Sequence, residues 1–254
     1  MLVYSEQMST ILVTGASGGI GAETARLASA RGVPVAVHFL QNRPAAESLA
    51  QEIVSAGGRA LAIHADLGRE QDVVRMFDTA VGELGPVAGL VNSAGVVGGL
   101  TRVENVTAAA LEEVFRVNVI GTILCCREAI RRMSTVHGGS GGSIVNVSSI
   151  ASRIGGGGEW VHYAASKGAV DSFTLGLARE VAAEGIRVNA VSPGIVATEL
   201  HAKAGAPDRL ERMAPGIPMK RPGTPLEVAQ AILWLLWEAP AYVTGSILEI
   251  GGGR

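Results

Sequence analysis

The chain has 254 residues, of which 48% are hydrophobic and 17% charged, and its formal net charge is −2. This length suits one large domain or two small ones, and the near-neutral charge argues against nucleic acid and anionic membranes as partners. Because no apolar run reaches the ~18 residues of a spanning helix and residues 1–8 lack the regions of a signal peptide, we expect a cytoplasmic protein with a short N-terminal extension over residues 1–8.

Short apolar runs with strand character alternate along the chain with longer helical segments. Strands are predicted at Thr10–Thr14, Pro34–Phe39, Arg59–His64, Gly89–Asn92, Ser143–Val147, Arg187–Ser192 and Ile247–Ile250. Helices are predicted at Gly19–Ala30, Ala45–Ala56, Glu70–Leu84, Ala108–His137, His162–Ala183 and Pro225–Trp237. Such alternation without a linker is typical of repeated βαβ units. We therefore predict a single α/β domain over residues 9–254, with a doubly wound, Rossmann-like parallel sheet of about seven strands and helices on both faces.

One long segment, residues 193–225, is rich in proline and has no clear period. A loop of this length in a compact domain is usually functional and often forms a lid. The paired cysteines Cys125 and Cys126 lie in an apolar helical run and lack metal-ligand spacing, which favours a packing role.

The first predicted strand runs into a glycine-rich turn, residues 14–21, and then into a helix. A helix N-terminus presents free N–H groups and a favourable dipole to a pyrophosphate, and glycines allow its close approach. Such a turn can also be merely a tight connection, but its place in the first βα unit favours dinucleotide binding. The residues expected to bind are Gly15, Ser17, Gly18, Gly19, Ile20 and Gly21.

The end of the second strand bears on the choice between NADP and NAD. An acidic residue there would bind the ribose 2′-hydroxyl of NAD, but residues 37–43 contain no acid and end at Arg43. We therefore expect NADP, with NAD as the alternative. Ser17, His38, Asn42 and Arg43 are candidates for the 2′-phosphate site, although Arg43 is also explained as a surface charge at a helix start.

After the third strand, Asp66 and Leu67 are candidates for the adenine site. The Asp66 carboxylate could accept a hydrogen bond from the adenine amino group. The alternative is that Asp66 caps the helix that follows.

Tyr163 and Lys167 are four residues apart in a predicted helix and therefore share one of its faces. A tyrosine with an ordinary pKa of about 10 transfers protons poorly near neutrality, unless a nearby positive charge stabilises its phenolate. Lys167 would supply that charge. A tyrosine and lysine at this spacing can also be only packing and a solvated charge, but Ser149 and the glycine-rich turn upstream favour a catalytic role.

In order and spacing these motifs resemble the short-chain dehydrogenase/reductase family, from about Ser9 to Gly253. The general similarity is to bacterial members labelled 3-oxoacyl-carrier-protein reductase or glucose 1-dehydrogenase. The family motifs align with Gly15, Gly19 and Gly21, with Asn92-Ser93-Ala94-Gly95, Asn118, Ser149, Tyr163, Lys167, Pro193-Gly194 and Thr198. The interval from Ser149 to Tyr163 is one residue longer than in much of the family, so Ser148 is the alternative to Ser149.

The resemblance implies a role for each aligned residue. Tyr163 would transfer the proton, Ser149 would hydrogen-bond the substrate oxygen, Lys167 would hold the nicotinamide ribose, and Asn118 would anchor a water. No metal is required. The remaining positions expected to contact the cofactor are Asn92, Ala94, Gly95, Pro193, Gly194, Ile195 and Thr198.

We therefore expect an NAD(P)-dependent oxidoreductase that interconverts a small-molecule carbonyl and a secondary alcohol by hydride transfer. The alternatives are a non-catalytic dinucleotide-binding regulator and an isomerase or dehydratase on the same scaffold. Family members commonly form dimers or tetramers through two helices, here residues 111–130 and 170–181. Because both carry apolar residues on more than one face, we predict a homotetramer, with a homodimer as the alternative.

The substrate contacts are less well defined by sequence. Candidates that could equally be packing residues are Trp160, Val161, Leu200, His201 and Met213, whereas His162 is expected at the surface or the pocket rim. A carrier-protein substrate would call for basic residues beside the pocket. Arginines that could serve, or that could be solvated surface charges, are Arg102, Arg127, Arg131, Arg132 and Arg153.

Overall fold

The computed structural model describes residues 9–254, so the extension expected over residues 1–8 lies outside the described residues. Its seven strands form one sheet in the order β3-β2-β1-β4-β5-β6-β7, and every pairing is parallel. The strands are β1 Thr10–Thr14, β2 Val35–Phe39, β3 Ala60–His64, β4 Val87–Asn92, β5 Gly142–Val147, β6 Ile186–Pro193 and β7 Ile247–Ile250. The predicted doubly wound parallel sheet is confirmed.

Helices cover both faces of this sheet because alternate strand residues point to opposite sides. The helices are α1 Gly19–Ser29, α2 Arg43–Ser55, α3 Glu70–Leu84, α4 Ala108–Phe115, α5 Thr122–Met133, α6 Ala151–Ile154, α7 Val161–Val181, α8 Leu200–Lys203, α9 Arg209–Met213 and α10 Pro225–Leu233. Ile11 and Val13 pack with α1, α2 and α10, whereas Leu12 packs with α3, α5 and α7. Among residues 9–254, no helix is both long and apolar enough to cross a bilayer.

The single helix predicted over residues 108–137 is interrupted. A π-helical segment, Arg116–Gly121, separates α4 from α5, and a 3-10 turn follows α5. The interruption lies where tertiary contacts are tight: a Cβ on Gly121 would stand 2.9 Å from the Leu67 Cβ atom. Asn118, within the same segment, is fully buried. Such π segments occur frequently at functional sites.

The long segment between β6 and α10, residues 194–224, is not without structure. It contains the short helices α8 and α9 and a 3-10 turn. At its base Val196 pairs with Gly223, where the Ala197 N–H donates to the Gly223 oxygen and the Gly223 N–H to the Ile195 oxygen, both at 2.9 Å. We call this stretch the β6–α10 segment.

Candidate active site

A cavity of about 1040 Å³ opens at the carboxyl ends of the strands. It includes the crevice between β1 and β4, where the strand order reverses, which is the usual ligand site of such sheets. The predicted residues that line it are Gly15, Ser17, Gly18, Gly19, Ile20, His38, Asn42, Asp66, Leu67, Ala94, Gly95, Ser149, Tyr163, Lys167, Pro193, Gly194, Ile195 and Thr198. Four other predicted catalytic or cofactor-binding residues lie outside the lining: Gly21, Arg43, Asn92 and Asn118.

The glycine-rich turn at the end of β1 leaves room for an anion. Gly15 has φ +65° and packs so closely on the next loop that an added Cβ would stand 2.7 Å from the Ala94 Cα atom. Gly18 faces open space, with nothing described within 4 Å of its Cβ position. It precedes α1, whose first turn has no side-chain cap among the described residues. The turn therefore fits a pyrophosphate bound at a helix N-terminus.

Gly21 and Asn92 support the cavity from behind. A Cβ on Gly21 would stand 2.6 Å from the Gly15 oxygen, so its lack of a side chain lets α1 pack against the turn. Asn92 donates from Nδ2 to the Asn146 Oδ1 atom at 2.9 Å and to the Cys126 Sγ atom at 3.2 Å. Both residues therefore have a packing role, and their assignment as cofactor contacts stays a prediction.

His38, predicted as part of a 2′-phosphate site, lines the cavity with both ring nitrogens bonded to backbone. Its Nδ1 accepts a hydrogen bond from the Gly15 N–H at 3.0 Å, so Nε2 carries the proton and donates to the Ala65 oxygen at 3.0 Å. Burial lowers the pKa of His38 to about 4, which keeps the ring neutral. Both ring nitrogens thus hold the glycine turn against its neighbours.

Asn42 lines the cavity, whereas the neighbouring Arg43 does not. The Arg43 guanidinium pairs with Glu47 at 3.1 Å and lies 5.2 Å from the Phe39 ring centroid, outside the lining. In this conformation Arg43 is therefore a surface charge near the start of α2, as the alternative interpretation of the sequence had it. Asn42 lines the cavity, and its Oδ1 caps α2 by accepting from the Ala45 N–H at 3.3 Å.

Asp66 is held in place by two donors. Its Oδ1 accepts from the Gly68 N–H at 3.0 Å and from the Arg116 guanidinium at 2.6 Å. The alternative that Asp66 caps α3 is wrong, because the N-cap position is Arg69, which makes no capping bond among the described residues. Asp66 and Leu67 remain in the lining, with Arg116 beside them.

The phenol and the ammonium at the catalytic end are both buried. Burial raises the pKa of Tyr163 to about 12, against the opposing effect of a hydrogen bond with Ser149. The Lys167 Nζ atom donates to the Val147 oxygen at 2.7 Å and lies 5.7 Å from the Tyr163 ring centroid. Burial lowers the pKa of Lys167 to about 8. The pKa of Tyr163 is therefore not below its ordinary value here, because desolvation outweighs the hydrogen bond with Ser149.

The two adjacent serines have different partners. The buried Ser148 hydroxyl donates to the Lys167 backbone oxygen at 3.3 Å. The Ser149 Oγ atom accepts from the Ala151 N–H at 3.1 Å and shares a hydrogen bond with Tyr163. The geometry therefore favours Ser149 as the hydroxyl that works with the phenol.

Asn118 connects elements of the site without lining the cavity. Its Oδ1 accepts from the Val96 N–H at 2.8 Å, and its Nδ2 donates to the Val96 oxygen at 2.9 Å and the Ser166 Oγ atom at 3.0 Å. The side chain thus fixes the loop after β4 against α7. Because its polar atoms are engaged in these bonds, the side chain positions the site rather than contacting the cavity.

An aromatic wall extends the cavity beyond Tyr163. The Trp160 ring centroid lies 5.8 Å from that of Tyr163 and 6.1 Å from that of His201. Leu200 also lines the cavity, whereas Val161 and Met213 lie outside the lining. The prediction of His162 at the surface or rim is wrong: it is buried and donates from Nε2 to the Val97 oxygen at 2.9 Å.

The sequence analysis missed an ion pair in the cavity lining. Glu159 forms an ion pair with Arg209, which is only 4% exposed and whose guanidinium carbon lies 3.9 Å from the Trp160 ring centroid. Because 50 residues separate the two partners, no local pattern could indicate the pair. The only signal in the sequence was their position: Glu159 precedes Trp160, and Arg209 lies between His201 and Met213, all three of which were candidate substrate contacts.

The arginines considered for a carrier protein are all engaged with carboxylates. Each has at least one acidic partner within ion-pair distance, which weakens the positive field available to an acidic partner. The pairs are Arg102 with Glu104, Arg127 with Glu70 and Glu128, Arg131 with Glu128, Arg132 with Glu128 and Asp78, and Arg153 with Glu249.

Known proteins resemble this chain over nearly its whole length. A family model described as Enoyl-(Acyl carrier protein) reductase matches residues 15–254. The uncharacterized oxidoreductase YgfF of Escherichia coli K12 is 51% identical over 97% of this chain and 100% of its own length. A 3-oxoacyl-[acyl-carrier-protein] reductase of Synechocystis is 35% identical over 95% of each. The crystal structure of a blue fluorescent protein from a metagenomic library, in complex with NADPH, has 31% identity and a TM-score of 0.87, covering 96% of this chain and 97% of its own.

Proposed function

This chain belongs to the short-chain dehydrogenase/reductase family, and we therefore propose that it interconverts a small carbonyl compound and a secondary alcohol, with NADP(H) as the hydride carrier. The observation that carries the proposal is the hydrogen-bonded Ser149–Tyr163 pair, with Lys167 beside it, in the same cavity as the glycine-rich turn. Retention of all three side chains argues against a regulator that has lost its chemistry.

Ser149, Tyr163 and Lys167 each contribute to the transfer of one proton to the substrate oxygen. Ser149 hydrogen-bonds the substrate oxygen and stabilises the charge that develops there. Tyr163, whose high pKa keeps it protonated at neutral pH, donates its proton to that oxygen during reduction. Lys167, mostly protonated below its pKa of about 8, stabilises the phenolate that remains. In the reverse direction the same groups remove the hydroxyl proton.

The nicotinamide dinucleotide, when bound, supplies or accepts the hydride. Gly18 and the start of α1 would hold its pyrophosphate, and Pro193, Gly194 and Ile195 would position its ring. NADP is favoured because the end of β2 lacks an acidic residue and because a similar structure contains NADPH. Ser17 and Asn42 are the lining residues proposed for the 2′-phosphate side, since His38 is fully bonded to backbone.

The test is the Tyr163→Phe variant, which removes only the proton donor. Consumption of NADPH and of NADH is followed spectrophotometrically with ketones, diketones and β-ketoacyl thioesters. We expect turnover with NADPH in the wild type and a loss of at least 100-fold in the variant, in keeping with general acid catalysis. NADPH binding, measured by fluorescence titration, should change little.

Tyr242→Phe, at a tyrosine that is 99% exposed and outside the cavity lining, provides the control and should retain activity. Full activity of Tyr163→Phe would reject the assigned acid. Binding of NADPH without turnover of any carbonyl would instead favour the regulator.

A further inference from the structure

Beside Trp160, the cavity lining contains two residues with buried polar atoms that have no partner within residues 9–254. Arg209 and His201, exposed by only 4% and 7%, both line the cavity. Within residues 9–254, neither the Arg209 Nε atom nor the His201 Nδ1 atom has a hydrogen-bond partner. Leaving buried polar groups unpaired is costly, so such atoms require an explanation.

The unpaired atoms have opposite hydrogen-bonding character. The Arg209 Nε atom can only donate. The His201 ring donates to the Val196 backbone oxygen, and because its Nδ1 is the unpaired atom, Nε2 carries the proton and Nδ1 is an acceptor. Burial and the nearby Arg209 charge lower the pKa of His201, which favours this neutral ring.

This pair of atoms selects the chemistry of its partner. A hydroxyl group can accept from the Arg209 Nε–H and donate to the His201 Nδ1 atom. A carboxylate cannot donate, and the Arg209 charge is already balanced by Glu159. Trp160, with the Arg209 guanidinium against its ring and the Tyr163 and His201 rings nearby, offers an apolar surface between the phenol and this polar pair.

We propose that Arg209 and His201 bind a hydroxyl group of the substrate, so that the substrate is a hydroxyketone, or the corresponding diol, whose carbon skeleton packs on Trp160. This rests on the proposed function. Both atoms are shielded from solvent, so binding includes a small shift of the β6–α10 segment that admits one oxygen atom.

The first experiment compares matched ketones that differ by one hydroxyl. With NADPH, the wild type should reduce 4-hydroxycyclohexanone with a kcat/KM about tenfold or more above that for cyclohexanone, as expected for a site built to bond a hydroxyl. His201→Phe and Arg209→Lys should bring this ratio close to one, whatever their effect on cyclohexanone reduction itself. Arg209→Lys keeps the charge opposite Glu159 and removes the Nε donor.

His137→Phe, at an exposed histidine in the 3-10 turn before β5 and outside the cavity lining, is the matched control and should keep the wild-type ratio. Circular dichroism melting verifies that each variant is folded. A wild-type ratio near one would overturn the proposal, since it would mean that the two atoms hold a resident water only.

The second experiment needs no turnover and therefore separates this proposal from the proposed function. The protein saturated with NADPH, which cannot accept a hydride from an alcohol, is titrated calorimetrically with 1,4-cyclohexanediol and with cyclohexanol. The diol should bind about tenfold more tightly in the wild type and equally in His201→Phe. Equal binding in the wild type would reject the hydroxyl site, whereas preferential diol binding without any ketone reduction would reject only the proposed function.

Discussion

At the scale of single residues, burial controls the proton chemistry of the site. It shifts Tyr163 and Lys167 in the directions that oppose their charged forms, raising the pKa of one to about 12 and lowering that of the other to about 8. At pH 7 the cofactor-free site therefore holds a neutral phenol beside an ammonium. This is the protonation state that carbonyl reduction requires.

The pH dependence of reduction should report Lys167. We expect kcat/KM for a ketone to be constant between pH 6 and about 8 and to fall about tenfold per unit above, as the ammonium that stabilises the phenolate loses its proton. A pH-rate profile measures this directly. Lys167→Arg, whose guanidinium stays charged, should lower the rate throughout but remove the alkaline decline. An identical decline in that variant would assign the titration to another group.

His38 should make the fold less stable in weak acid. Its folded pKa of about 4 lies below the ordinary value of 6.5, so its contribution is fully present above pH 6.5 and is lost as the pH falls towards 4. Between pH 7 and pH 5 this amounts to about 2 kcal/mol of unfolding free energy, measurable by urea titration at both values.

The matched variant is His38→Asn, whose amide oxygen can replace Nδ1 as the acceptor for Gly15. We expect it to flatten the difference between pH 7 and pH 5. An unchanged difference in His38→Asn would contradict this assignment.

At the scale of elements, two glycines of the β1–α1 turn have different roles: Gly21 allows close packing, whereas Gly18 leaves space for the cofactor. A Cβ on Gly21 would meet backbone, whereas one on Gly18 would enter the cavity without touching described atoms. Gly21→Ala should therefore lower the unfolding free energy by about 1–3 kcal/mol, the usual cost of overpacking. Gly18→Ala should keep its stability and weaken NADPH binding. Chemical denaturation and fluorescence titration of both variants test this, and equal stability of the two would disprove it.

How much the sequence revealed depended on how local the signal was. The first and last strands were predicted with their observed bounds, because short buried runs between turns define them directly. The break in the helix after Ala108 was missed, since the π-helical segment depends on contacts with distant residues such as Leu67 and Val96. The spacing between Tyr163 and Lys167, by contrast, is local and could be recognised from the sequence alone.

The partners of the site residues were not local. The ring bonds of His38 involve residues 23 and 27 positions away along the chain. The Glu159–Arg209 pair joins α9 to the loop before α7. The sequence therefore identified candidate chemistry at the cavity, but only the fold separates lining residues from those that support them.

At the scale of the whole molecule, an apolar surface runs along α4, the π-helical segment and α5. Its exposed members are Leu111, Phe115, Ile120 and Ile123. Contiguous apolar surface of this kind usually marks an interface. The predicted homotetramer would cover it.

Sedimentation equilibrium at micromolar concentration should therefore detect a tetramer. Ile120→Glu should shift the distribution towards smaller species, because it places a charge in the expected interface. Val54→Glu on α2 is the control, as Val54 and Ile120 are similarly exposed, at 47% and 49%. A stable wild-type monomer would refute the prediction.

The pairing of Val196 with Gly223 has a consequence for how such an enzyme diversifies. It joins the two ends of the β6–α10 segment, so the residues between Val196 and Gly223 can change in number or composition while the register of β6 and β7 stays fixed. Mutation can then exchange one accepted molecule for another without rebuilding the apparatus for moving hydride and proton. One scaffold can in this way acquire many substrate specificities.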